Sequence, residues 1–528
     1  MKYYSTKNRD LRVPLEKAVK QGMAPDKGLY MPERIPVLTR GELEAIRQTE
    51  SLAETGLILA RKLFGDEVPS DELDSIVSDA LNFDTPVVQV TDHIFALELF
   101  HGPTLAFKDV GARFMARLLE YYNRNNDKEV HVLVATSGDT GSAVANGFLN
   151  VPGIAVHVLY PSGQVSKLQE KQFTTLGGNI TALEVDGSFD DCQALVKQAF
   201  ADDALRERLL LTSANSINLA RFLPQSFYYF RGWAQMKTEE LVIAVPSGNF
   251  GNLTAGLVAR EMGLPVNTFL AASNANDVVP EYLETSEYRP RPSVRTVANA
   301  MDVGTPSNFE RILDLFDQRH ERIVQHLKGY RYSDEQIKRI IKEVYQEHGY
   351  TLDPHGATGF EAAREYLLGL STKLHPGDPV NSASGTFYSS AAGSTPGSAS
   401  GSTSGSASGS ASGSASGSAS GSASGSASSS SPGSSPGAPF SAPSDETPEK
   451  NSDQRSTSPE NGPTTSRSIQ VLFLETAHPA KFSEVVNEAS GAEVETPKRL
   501  QAFAKGEKVS QKISADYEMF RDYLSNLH

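Results

Sequence analysis

The chain has 528 residues, with 49 Lys and Arg against 64 Asp and Glu and a formal net charge of −15; at roughly 150 residues per domain it accommodates two to four domains and a large buried core. No basic excess marks a nucleic-acid-binding face, and no run approaches the ~20 apolar residues of a bilayer-spanning helix. Its one cysteine, Cys192, excludes an internal disulfide and a cysteine-rich zinc site, and residues 1–14 carry no signal or anchor pattern, so a cytoplasmic protein without membrane or nucleic-acid partners is expected.

In chain order, β-branched runs at 130–135, 154–160, 180–185, 241–245 and 266–271 predict strands, and helical periods at 165–176, 189–200 and 252–262 predict helices between them. Repeated βα units imply an α/β fold with a parallel sheet covered by helices, whose ligands gather beyond the carboxyl ends of the strands. From 382 to 466 the chain turns to Ser, Gly, Ala and Pro, with a near-perfect Gly-Ser-Ala-Ser repeat at 397–428. Such a segment buries too little apolar surface to offset its ordering entropy, which predicts disorder. Beyond it, IQVLFL at 469–474 predicts a buried strand, and 481–489 and 515–527 predict helices. A terminal body of about 60 residues is small to fold alone, which favours an inserted loop in one domain over a linker between two.

Several turns carry residues suited to chemistry. LFHGPTLAFKDVGARFMARLLEYY (99–122) places Lys108 at a helix start, where the macrodipole disfavours a cation. Among Leu105, Ala106 and Phe107 its amine is either desolvated, and then a nucleophile toward a carbonyl, or an ordinary surface charge. ATSGDTGSA (135–143) offers Ser137, Gly138, Thr140 and Gly141 at a helix N-terminus, which suits a carboxylate or phosphate or merely caps the helix. In PSGNFGN (246–252), Gly248 and Gly251 let backbone N–H groups converge on a phosphate near Ser247, Asn249 and Asn252. The Lys-Ser/Thr ending of a nucleotide loop is absent, so a cofactor phosphate suits it better than ATP. PSNFER (306–311) reads as a helix start with Ser307 and Asn308 as caps and Arg311 able to grip a phosphate bidentately, or as a capped surface helix. His101, His355 and His478 lie in HGP, DPHG and AHP turns without metal spacing. They are expected to be turn or substrate-contacting residues, with no metal.

Together these segments resemble the threonine synthase family, pyridoxal-phosphate enzymes of fold type II. The resemblance runs through YYSTKN (3–8), GMAPDKGLYMPERIP (22–36), HGPTLAFKD, ATSGDTGSA, YPSGQVSKLQEKQ (160–172), PSGNFGN, GTPSNFER (304–311), LDPHGATGF (352–360) and ETAHPAKF (475–482). It implies an N-terminal domain at 1–90 and a catalytic region at 91–381 that resumes at 467–528 after the insert 382–466. It further implies that Lys108 holds pyridoxal 5'-phosphate through a Schiff base, that Gly248, Asn249, Phe250, Gly251 and Asn252 cradle the cofactor phosphate, and that the Thr476 hydroxyl faces the pyridine nitrogen. Ser137, Gly138, Asp139 and Thr140 would hold the substrate carboxylate, and Ser307, Asn308 and Arg311 are candidates for the substrate phosphate. The implied reaction converts O-phosphohomoserine and water to threonine and phosphate. A phospholyase acting on a related phosphoamino acid and a non-catalytic phosphometabolite sensor are the alternatives; monomer and dimer both stay open. The insert departs from the family pattern, because it separates Thr476 from the other site residues.

Overall fold

In the computed structural model, residues 1–238, 240–374 and 469–527 are described; the low-complexity segment 382–466, and with it the expected disorder, lies outside them. A small antiparallel sheet of β1 (Tyr3–Ser5), β2 (Asn8–Val13) and β3 (Tyr30–Pro32) opens the chain, in the order β2-β1-β3. There follow β4 (Val87–Gln89), β5 (Ile94–Glu98), β6 (Val130–Ala135), β7 (Ile154–Pro161), β8 (Ile180–Asp186) and β9 (Leu210–Ser213). The last strands are β10 (Leu241–Pro246), β11 (Val266–Ser273), β12 (Leu327–Arg331), β13 (Gln470–Glu475) and β14 (Gln511–Ser514). They build a six-stranded sheet, β12-β11-β10-β13-β5-β4, parallel except for β4, and a five-stranded parallel sheet, β14-β8-β7-β6-β9. The parallel α/β architecture expected from the βα alternation is therefore present, divided over two sheets.

Burial explains why the strands were legible. Every residue of β6 (VHVLVA) and β10 (LVIAVP) is buried, and a parallel strand covered on both faces reads as a continuous apolar run. The strand after the insert behaves alike: β13 lies between β10 and β5, with Ile243 opposite Leu472 and Val471 opposite Ile94. Its last five residues are buried, so the C-terminal segment supplies a central strand of the same compact unit.

Helix ends follow local chemistry. The helix predicted at 165–176 is shorter, Lys167–Thr174, because Ser166 accepts from the Gln169 N–H and sets its start. That predicted at 481–489 divides into a tight turn, Pro479–Phe482, and the helix Ser483–Ser490. Short edge strands such as β2, whose NRDLRV is mostly exposed, have no apolar run to announce them, and they were missed.

Candidate active site

Four turns meet at the carboxyl ends of β5, β6, β10 and β13 around a cavity of about 790 Å³. The first is built by a short pairing of chain segments that lie far apart in sequence. Phe107 N–H donates to the Thr476 carbonyl at 2.9 Å, His478 N–H donates to the Leu105 carbonyl at 3.1 Å, and Ala106 bridges Ala477. Asp109 accepts from the Thr104 N–H at 2.9 Å and from its hydroxyl at 2.5 Å, which fixes the turn before the helix Lys108–Asn123. Lys108 and Thr476 thus line the same wall. The Lys108 side chain is 14 % exposed. Burial lowers its pKa to about 8, against the pull of Asp139, so a sizeable share of its amine is neutral near physiological pH.

The loop after β10 lines the same cavity. Phe250 takes a left-handed conformation (φ 60°) immediately before the helix Gly251–Glu261, and its side chain packs edge-on against Phe309. A Cβ on Gly248 would lie 2.5 Å from Met301 Cα, and one on Gly251 would lie 3.0 Å from Ser216 Cβ. Neighbouring chain therefore packs directly against this loop, and only glycine fits at Gly248. Asn252 Oδ1 accepts from the hydroxyls of Tyr228 at 2.6 Å and Tyr229 at 2.8 Å, which orients the amide while its Nδ2 remains buried without a partner. Asn249 Oδ1 accepts from the Ser307 N–H at 2.6 Å, tying this loop to the 306–311 turn.

After β6, Thr136 Oγ1 accepts from the N–H groups of Gly138 at 2.9 Å and Gly141 at 2.7 Å. Gly138, at φ 140°, thereby shapes the turn and does not line the cavity, whereas Ser137 and Thr140 do. The Asp139 carboxylate faces cations: Oδ1 is 2.6 Å from Lys481 Nζ and Oδ2 is 4.0 Å from Lys108 Nζ. Burial opposes its charge, but those two ammonium groups hold it well below the usual carboxylate range.

The third expected group is divided. Ser307 lines the cavity, but Asn308 and Arg311 lie behind the wall. Arg311 is fully buried and donates to the carbonyls of Tyr30, Ser216 and Ile217 and to Asn308 Oδ1. With its guanidinium also 4.1 Å over the Phe222 ring, it has no donor left for a phosphate; it braces three segments instead. Arg221, which the sequence reading missed, does line the cavity, as do Lys7, Lys27, Lys108, Lys197 and Arg206. Arg221 follows β9 in the helix Leu219–Phe222, capped by Asn218. One Nη1 donates to the Ala214 carbonyl while the buried Nε has no partner. An arginine near the end of a one-turn helix is locally ordinary, so nothing in the spacing around SANSIN singled it out. Of the three histidines only His355 lines the cavity. Its Nε2 accepts from the Ala300 N–H at 3.1 Å and its Nδ1 contacts Asp353 Oδ1 at 2.5 Å, which places the ring proton on Nδ1. Among the described residues no group of three His, Cys, Asp or Glu could hold a metal ion, and no helix is long and apolar enough to cross a membrane.

The chain matches the family model for pyridoxal-phosphate dependent enzymes over residues 80–382, that for the threonine synthase N terminus over 2–81 and that for the threonine synthase C-terminal part over 458–524. It is 45 % identical to threonine synthase from Escherichia coli over 373 residues, which is 70 % of this chain and 85 % of that protein. It belongs to the threonine synthase family. The relative from Pseudomonas aeruginosa is 34 % identical over 71 % of this chain and 86 % of its own. The crystal structure of threonine synthase from Escherichia coli superposes with a TM-score of 0.77 at 35 % identity, covering all of both chains. That of PLP-bound threonine synthase from Brucella melitensis gives 0.75 at 28 % identity over 99 % of this chain and 98 % of that one.

Like the rest of the threonine synthase family, the protein is a pyridoxal-phosphate-dependent lyase. Its cavity fits that cofactor: an amine of lowered proton affinity, the orphaned Asn252 Nδ2 and the glycine loop all line it. Gly248→Ala is accordingly expected to weaken cofactor binding at least ~10-fold, because the new methyl meets backbone that cannot yield and pushes the loop off a phosphate. Titrating pyridoxal phosphate into the purified variant and following its absorbance checks this; unchanged affinity would leave the loop a mere turn.

Proposed function

We propose that this cavity converts O-phospho-L-homoserine and water to L-threonine and phosphate, with Lys108 as the residue that holds the cofactor and shuttles protons. The observation that carries the reading is the presence of the desolvated Lys108 amine, Thr476 and the Gly248–Asn252 loop around a single cavity. Bound pyridoxal phosphate supplies an electron sink for charge that develops at the substrate α and β carbons.

Each residue then has a separable task. Lys108 would hold the cofactor and, as an amine of lowered proton affinity in the same cavity, would move protons at the substrate α and β carbons, where proximity is what a general base needs. The N–H groups after Gly248, with Asn249 and Asn252 Nδ2, hold the cofactor phosphate. The hydroxyls of Ser137 and Thr140 orient the substrate carboxylate, with Gly138 shaping their turn. Arg221 and Ser307 take the substrate phosphate, and Asn308 and Arg311 hold the chain behind them. Thr476 would offer the cofactor ring a neutral hydroxyl, which would not enforce protonation of its nitrogen as a carboxylate does.

Thr476→Val is expected to fold normally, because the contact that locks the 105–107 turn uses the Thr476 carbonyl. Losing the buried hydroxyl should lower kcat about 10-fold, the equivalent of ~1.4 kcal/mol, while steady-state kinetics show KM changing less. The whole reading is tested by supplying O-phosphohomoserine to the purified holoenzyme and assaying threonine and free phosphate. Equal amounts of both are expected. Phosphate with a keto acid in place of threonine would make the protein a phospholyase.

A further inference from the structure

Lys481 lies in the turn Pro479–Phe482, just beyond Thr476, with a completely buried side chain. Its ammonium group makes two contacts: Asp139 Oδ1 at 2.6 Å and the Thr104 carbonyl at 2.9 Å. Gln169 Nε2 donates to the same Asp139 oxygen at 2.8 Å. Asp139 Oδ1 is thus saturated, and only Oδ2 is turned toward Lys108, at 4.0 Å. Here one carboxylate is shared by two buried lysines at unequal distance, and the nearer of them contacts no other part of the cavity wall.

We propose that Lys481 is a positioning residue for the reaction: by holding one oxygen of Asp139 it keeps that carboxylate from capturing Lys108 as a tight ion pair, and so leaves the Lys108 amine free to exchange protons. This rests on the reading of Lys108 as the cofactor-holding lysine. The charged groups that face Lys108 come from every element around it: Asp139 after β6, Lys481 after β13, Arg221 after β9, and Asp353 ahead of the helix Pro354–Leu374. Asp109, on its own helix, is engaged by Thr104. Burial lowers the proton affinity of Lys108 most, Asp139 raises it, and Lys481 and Arg221 lower it further. Removing Lys481 therefore leaves Lys108 as the ammonium partner of Asp139, beside the neutral Gln169, and raises the Lys108 proton affinity; removing the Asp139 charge does the reverse.

The two variants must shift titration in opposite directions, which general damage to the fold would not do. The holoenzymes Lys481→Met, Asp139→Asn and the double variant are titrated with pH by following the absorbance band of the lysine-bound cofactor. Relative to wild type, the midpoint is expected to rise by on the order of one pH unit in Lys481→Met and to fall by a similar amount in Asp139→Asn. The double variant should lie between them, and the acid limb of kcat/KM should move in parallel. Should Lys481→Met prove too unstable to purify, the double variant, which buries no unpaired carboxylate, must still titrate above Asp139→Asn. Midpoints that do not move, or that move the same way in both single variants, overturn the proposal. Persistence of the band in Lys108→Ala would instead overturn the reading of Lys108; loss of the band there with unmoved midpoints in the other variants refutes only the role of Lys481.

Discussion

Lys108→Ala is expected to lower turnover of O-phosphohomoserine at least ~10⁴-fold, since on the proposed roles it removes both the covalent hold on the cofactor and the proton shuttle. The absorbance of the lysine-bound cofactor should disappear with it, while the fold survives. Removing Lys108 orphans no carboxylate, because Asp139 keeps its 2.6 Å contact with Lys481, so thermal unfolding should shift by only a few degrees. Lys108→Arg should be equally inactive: the charge is kept, but a guanidinium does not form the Schiff base. Measurable turnover in either variant at more than a hundredth of the wild-type rate would remove this lysine from the chemistry.

The second large effect separates two arginines. Arg221→Met should lower kcat/KM by two to three orders of magnitude, roughly the 2–5 kcal/mol lost when one partner of a buried, charge-assisted pair is truncated. Inhibition by inorganic phosphate should weaken in the same variant. Arg311→Met should behave differently, because this side chain holds the carbonyls of Tyr30, Ser216 and Ile217. Leaving those buried acceptors unpaired costs roughly 3 kcal/mol of stability, read as a lowered melting temperature. Phosphate inhibition of the Arg311→Met protein that remains folded should be close to normal. The reverse pattern would return the substrate phosphate to Arg311.

Much of the architecture was legible because it is local. β6, β10 and β13 are buried on both faces, so each appears as an unbroken apolar run, and the insert interrupts the chain without hiding the strand that follows it. The glycine loop was legible for a related reason: Gly248 tolerates no Cβ beside Met301, and such a constraint leaves its mark in residue type. Lys108 stood out because a cation at a helix start runs against the dipole.

Side-chain direction was not legible. Arg221 and Arg311 both follow polar turns, and their local spacing gives each a route to a phosphate. Only the packed structure puts the first in the cavity and the second behind it, because the choice depends on which carbonyls of distant segments lie within reach. Asp139 sits in a turn suited to an anion, yet its carboxylate is claimed by Lys481 from beyond the insert. Thr476 reaches Lys108 only because β13 enters the sheet between β5 and β10. The sequence by itself determined which segments become strands, helices and tight loops, since these follow from periodicity and from the steric needs of single residues. The tertiary structure decided which charges meet and which are neutralised, since a buried ion's partner is set by strand order and helix packing between residues far apart in the chain.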